Sequence, residues 1–101
     1  MSNWADAYIA ALGRGETVSF RPRGKSMSPR IEDKQLVTVM PLGNNNPLEG
    51  NIVLCTVHGK QYLHYVKAVQ GDQYAIGNAR GGINGSISIS QIHGILIKVE
   101  W

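Results

Sequence analysis

Arg23-Gly24-Lys25-Ser26-Met27-Ser28-Pro29-Arg30-Ile31 is the stretch on which the fold reading turns. Glycine at 24 admits a positive φ or a close approach, and proline at 29 fixes φ and removes a donor. A small hydroxyl, Ser26, stands between them beside a large apolar side chain, Met27. A serine held on a tight turn next to a buried anchor is one way to present a nucleophile. The same residues are ordinary loop formers, and local composition alone favours a plain turn.

Upstream, Ser2 or Asn3 can cap a short helix. Trp4, Tyr8, Ala11 and Leu12 recur at helical spacing, and Gly13 and Gly15 end the run. So short a helix is unstable alone and must dock, with Trp4 and Tyr8 on the docking face. From Glu16 the period changes to two, and Thr17 to Arg21 reads as a strand with Val18 and Phe20 on one face. Downstream of the Ser26 loop, Gln35 to Met40 reads as a strand and Gly43 to Pro47 as a loop. Ile52 to Val57 reads as a strand buried on both faces. His58-Gly59-Lys60 is a hairpin turn into a long strand, Gln61 to Val69. Gly71-Asp72 turns the chain back into Gln73 to Ile76. Gly77 to Gly85 reads as an irregular glycine-rich loop without the spacing of a nucleotide-binding turn. Ile87 to Ile92 reads as a weak strand or a single turn, and Ile95 to Val99 as the closing strand. The expectation is one domain over residues 1–101, mainly β. A short N-terminal helix (1–15) precedes a β domain (16–101) of about six strands in hairpin succession.

The bulk numbers narrow the function. With 101 residues, 43% hydrophobic and 17% charged, the chain can bury a modest core and is not of disordered composition. A single cysteine, Cys55, excludes an intrachain disulfide and a Cys-rich metal cluster, and suits a reducing, cytoplasmic setting. No run approaches the roughly 18 apolar residues of a membrane span, and the N-terminus lacks the pattern of a secretory leader. Net charge is +3, and six of the ten Lys and Arg (Arg14, Arg21, Arg23, Lys25, Arg30, Lys34) fall within residues 14–34. Glu16, Glu32 and Asp33 share that stretch, so a solvated face ranks above a nucleic-acid surface.

A serine nucleophile needs a base. His64 lies on the long strand with Tyr62, Val66 and Ala68 on its face, and Lys67 points the other way unless a bulge intervenes. A lone histidine there is most often a core residue. His58 and His93 read as exposed, and three dispersed histidines make a poor metal site. Cys55 reads as a small buried hydrophobe.

Several blocks together resemble a known family. Gly24-Lys25-Ser26-Met27-Ser28-Pro29-Arg30-Ile31 resembles the Gly-x-Ser-Met-x-Pro-x-hydrophobic signature of the type I signal peptidase and LexA-like serine peptidase superfamily. Leu36 to Met40 is similar to its next strand, and Glu49-Gly50-Asn51-Ile52-Val53 to its Gly-Asp-Ile-Val step. Counting back from Gly71-Asp72, Leu63-His64-Tyr65-Val66 falls on the Ile-Lys-Arg-Val positions of bacterial signal peptidases. His64 thus stands at the lysine position, where archaeal and endoplasmic-reticulum signal peptidases carry histidine. Gly77-Asn78 and Gly94 to Val99 resemble the closing loop and strand.

The resemblance implies a LexA/signal-peptidase-like coiled β-sheet and a serine endopeptidase with Ser26 as nucleophile and His64 as general base. It implies an oxyanion site at the Ser26 N–H helped by the Gly24 turn, and no cofactor or metal. The substrate is then a protein or peptide laid along a strand edge. It is either another protein or the chain's own terminus near Ala11-Leu12-Gly13. The chain departs from the pattern in three places. Gly24 stands where many bacterial members carry a hydroxyl, Asp33-Lys34 replaces a Gly-Asp pair, and the loop after Gly77-Asn78 lacks the aspartate of the histidine-type enzymes. Asn78 or Asn84 is left to orient His64. The lack of a membrane anchor and of a DNA-binding domain makes the chain similar to small soluble phage- or prophage-type members. The competing reading is a peptidase-fold binding module, weak or inactive in catalysis, that holds a protein partner.

Overall fold

The computed structural model describes residues 3–101, so Ser2 as a cap lies outside it. The described residues form one α-helix, one 3-10 turn and seven strands, all paired antiparallel in a single sheet. Helix α1 spans Asp6–Gly13. The strands are β1 (Val18–Phe20), β2 (Leu36–Pro41), β3 (Ile52–Val57), β4 (Lys60–Gln70), β5 (Gln73–Gly77), β6 (Ile83–Ile87) and β7 (Ile92–Glu100). None of the described helices is long and apolar enough to cross a membrane.

At the start of α1 the Asn3 side chain accepts from the Ala5 N–H at 2.9 Å, but Ala5 itself is the cap residue. The C-terminal end closes as a Schellman turn. Glu16 N–H donates to Ala11 O and Gly15 N–H to Leu12 O, each at 3.0 Å. The buried residues of this segment are Ala5, Ala11 and Leu12, whereas Trp4 is half exposed. Tyr8 docks by stacking on Phe20 at 4.3 Å, so only part of the expected docking face is buried.

β3 is the centre of the core. Its residues alternate between two apolar clusters. Ile52 and Leu54 join Leu12, Met27 and Leu63 on one face, and Val53, Cys55 and Val57 join Val66, Ile76 and Ile92 on the other. A strand with cover on both faces reads as a continuous apolar run, which is how Ile52 to Val57 reads. The two-residue turn His58-Gly59 then joins β3 to β4. Both residues have positive φ, 50° and 79°, as a type I′ turn requires.

The hairpin succession needs correction. The order is β1-β2-β7-β3-β4-β5-β6, so the last strand lies between β2 and β3. Such non-local pairing carries no turn signal that sequence could report. β7 is also longer than its apolar core, because pairing with β2 extends it to Glu100. The expected loop Gly77 to Gly85 is a second correction, since β6 begins at Ile83 and pairs with β5. Ile83 is 62% exposed and Asn84-Gly85 has turn chemistry, so neither alternation nor propensity marks this strand. The segment expected as a weak strand or turn holds a 3-10 turn, Ile89–Gln91.

Gly94 is a tight point of the sheet, between β7 and β2. A Cβ there would lie 2.6 Å from Met40 O and 2.7 Å from Val39 Cγ1. Gly94→Ala must push β7 off β2. It is expected to cost about 2 kcal/mol in urea denaturation, in the range of other overpacked cores. Unchanged stability would refute this account of the β2–β7 contact.

Candidate active site

The Ser26 loop is fixed at both ends. Gly24 has φ +102° and donates its N–H to Asp33 Oδ1 at 3.0 Å. Lys34 N–H donates to Pro22 O at 3.3 Å, closing the loop at its base. Within it Ser28 N–H donates to Lys25 O at 3.1 Å and Ile31 N–H to Met27 O at 2.9 Å. Met27 and Ile31 are buried in the cluster that holds Leu63. These anchors leave Ser26 at the surface, and Lys25 beside it is exposed. Asp33, read in sequence only as a departure from a Gly-Asp pair, thus ties the loop. Lys34 follows it with φ +69°.

His64 sits on β4 opposite Val53 of β3 and is 6% exposed. Its Nε2 lies 3.1 Å from Ser26 Oγ. Its Nδ1 lies 2.7 Å from Asn84 Oδ1, which reaches it from β6. An amide oxygen only accepts, so Nδ1 carries the proton and Nε2 is left as an acceptor facing the serine hydroxyl. The Tyr62 ring packs on the imidazole with centroids 4.9 Å apart. Burial pushes the His64 imidazole below its usual range; the Asn84 bond opposes this, and the Lys67 charge adds to it.

Of the two asparagines, only Asn84 meets His64. Asn78 Oδ1 accepts from Arg80 N–H at 2.8 Å and Gly82 N–H at 2.9 Å, so its carbonyl is committed to its own loop. That loop is tied to the serine by Ala79 N–H, which donates to Ser26 O at 3.0 Å. Gly24 contributes its turn, but its own N–H is taken by Asp33. The Ser26 N–H has no acceptor among the described residues. Lys67 lies over the Tyr65 ring, 5.2 Å from its centroid.

The remaining candidates fall away from this site. His58 is exposed, but His93 is half-buried, a correction to its expected exposure. Thr56 Oγ1 holds it at 2.8 Å, and burial lowers its pKa. Cys55 is fully buried, and burial pushes its thiol up to about 12, which leaves it unreactive. No group of three His, Cys, Asp or Glu able to hold a metal occurs among the described residues. Ala11 and Leu12 are buried in α1, so Ala11-Leu12-Gly13 is not the extended segment that a self-cleavage site requires.

A groove of about 610 Å³ opens beside Ser26 and His64. Its floor is apolar, with Phe20, Met27, Ile31 and Leu63, and Trp4 and Tyr8 stand at one side. One wall is β4 from Lys60 to His64. β5 pairs only with Tyr65–Gln70, so the outer edge of this part of β4 has no partner strand among the described residues. Val66 N–H donates to Asn51 O and Val66 O accepts from Gly50 N–H, so even-numbered residues of β4 bond towards β3. By alternation the backbone groups of Gln61 and Leu63 point outward to the groove. No protein-family model matches the chain, and no curated protein matches it either.

Proposed function

We propose that the chain is a serine endopeptidase of the type I signal peptidase and LexA-like kind, with Ser26 as nucleophile and His64 as general base. The observation that carries this reading is the relay Ser26 Oγ to His64 Nε2 at 3.1 Å and His64 Nδ1 to Asn84 Oδ1 at 2.7 Å. A nucleophile, a base in the accepting tautomer and a group that orients the base are what acyl transfer needs. A single antiparallel sheet whose central strand, β3, is covered on both faces supports the coiled β-sheet of that superfamily.

In this mechanism the substrate adds as a strand to the free edge of β4. Ser26 Oγ attacks the scissile carbonyl carbon while His64 Nε2 accepts its proton. The oxyanion is met by the Ser26 N–H. The C–N bond breaks, and His64 returns the proton to the leaving amine. Water then attacks the acyl-serine with His64 again as base, releasing the acid and restoring Ser26. Asn84 is neutral, so it orients the imidazole without offsetting the charge His64 gains. That neutrality favours a second reading, a peptidase-fold module that binds a protein partner with little or no turnover.

A serine-directed acylating probe tests the first reading. Wild type is expected to be labelled at Ser26, with no labelling of Ser26→Ala. The reactive form has neutral His64, so the rate rises with pH. Burial disfavours the imidazolium, which places the midpoint of that rise below the ordinary histidine value of about 6.5. Failure to label anywhere between pH 6 and 9 would sink the peptidase reading and leave the binding module. The same lowering has a stability cost in acid. The unfolded chain binds the His64 proton first, so stability is full above about pH 6.5 and falls as the pH drops from there towards the folded-state pKa.

A further inference from the structure

We infer that the groove selects an extended peptide segment that pairs a large apolar residue near the reacting bond with acidic residues several positions away. The inference deepens the proposed function and rests on it for the position of the reacting bond. Three observations carry it. The floor beside Ser26 is built from Phe20, Met27, Ile31 and Leu63, and a groove of about 610 Å³ has room for a bulky side chain. Three cations, Arg21, Arg23 and Lys60, line the same groove against one carboxylate, Glu32. The ion pairs of the described residues are Arg14–Glu16 and Lys98–Glu100, so none of these three cations has a carboxylate partner.

The spacing follows from the strand. Lys60 is four residues from His64 along β4, about 13 Å of extended chain. A substrate strand laid on that edge runs at the same rise per residue. An acidic side chain about four positions from the scissile bond therefore reaches Lys60. Arg23 and Lys60 are exposed, and Arg21 is held in place by donating to Lys34 O at 2.7 Å. Unpaired cations along a groove favour an anionic occupant through attraction and disfavour a cationic one through repulsion.

The test is binding of fluorescent decapeptides to the Ser26→Ala protein, which separates recognition from cleavage. Three peptides share a central Leu and differ in flanks of Glu, Gln or Lys; a fourth has Glu flanks and Ala for Leu. The Glu-flanked Leu peptide is expected to bind on the order of tenfold more tightly than the Gln peptide, as two or three exposed ion pairs allow. The Lys peptide is expected to bind weakest, the Ala peptide to lose affinity, and added salt to narrow the charge series. Arg23→Glu with Lys60→Glu, both exposed and checked by melting, should reverse the charge order. The inference is overturned if no peptide binds, if the charge order is absent or survives the reversal, or if a ten-residue oligothymidine outcompetes the Glu peptide. The two proposals fail separately. Preference for the Glu peptide without probe labelling of wild type removes the peptidase and keeps the groove, and labelling without the preference does the reverse.

Discussion

His64→Ala is expected to slow acylation of Ser26 by about a thousandfold, within the range general-base catalysis supplies. Nε2 is the acceptor 3.1 Å from Ser26 Oγ, and Lys67, the lysine closest to His64 in sequence on β4, lies over the Tyr65 ring. Without the imidazole the serine must lose its proton to water. The substitution also removes a ring packed against Tyr62, so some destabilisation accompanies it. Free imidazole separates the two effects. Partial recovery of labelling on adding imidazole identifies a missing base, and a wild-type rate in His64→Ala would refute the role.

Substitution at Asn84 is expected to have the second largest effect, and its direction depends on the replacement. Asn84→Leu removes the acceptor from the His64 Nδ1–H, leaving a buried donor unsatisfied and the ring free to turn or change tautomer. A loss of about a hundredfold in acylation is expected, smaller than loss of the base itself. Asn84→Asp keeps an acceptor in place and adds a negative charge that favours the imidazolium. The pH midpoint of labelling should then move up, towards or past the ordinary histidine value, and the rate on the plateau should rise. A profile that does not move would show that position 84 does not act through His64. Asn78→Leu is the contrast. It unties Arg80 and Gly82 in the neighbouring loop and is expected to leave that midpoint where it is.

The parts of this chain that read well from sequence are those with a local signature. Ile52 to Val57 has a run of apolar residues because both faces of β3 are covered, and His58-Gly59 has turn chemistry because both residues need positive φ. The contact between Ser26 and His64 was legible only through the resemblance and the count back from Gly71-Asp72, since 38 residues separate them. β6 was hidden because Asn84-Gly85 looks like a turn, and the strand exists through its pairing with β5. The choice between Asn78 and Asn84 was closed to sequence for the same reason. Both are asparagines in a glycine-rich stretch, and only the tertiary fold brings one of them, Asn84, to His64. Trp4 misled because helical spacing assigned it to a face that the chain covers with Ala5 instead.

The place of β7 in the sheet has a consequence for how the serine is held to its histidine. Ser26 follows β1 and precedes β2, while His64 and Asn84 belong to the β3 to β6 half. Among the described residues strand pairing joins the two halves through β7, and at the site itself the Ala79 N–H to Ser26 O bond and the cluster of Met27, Ile31 and Leu63 join them again. Without the β2–β7 and β3–β7 pairing, that one hydrogen bond and those apolar contacts are what is left to hold the hydroxyl beside the imidazole. β7 is thus the keystone between the two halves that the proposed dyad spans.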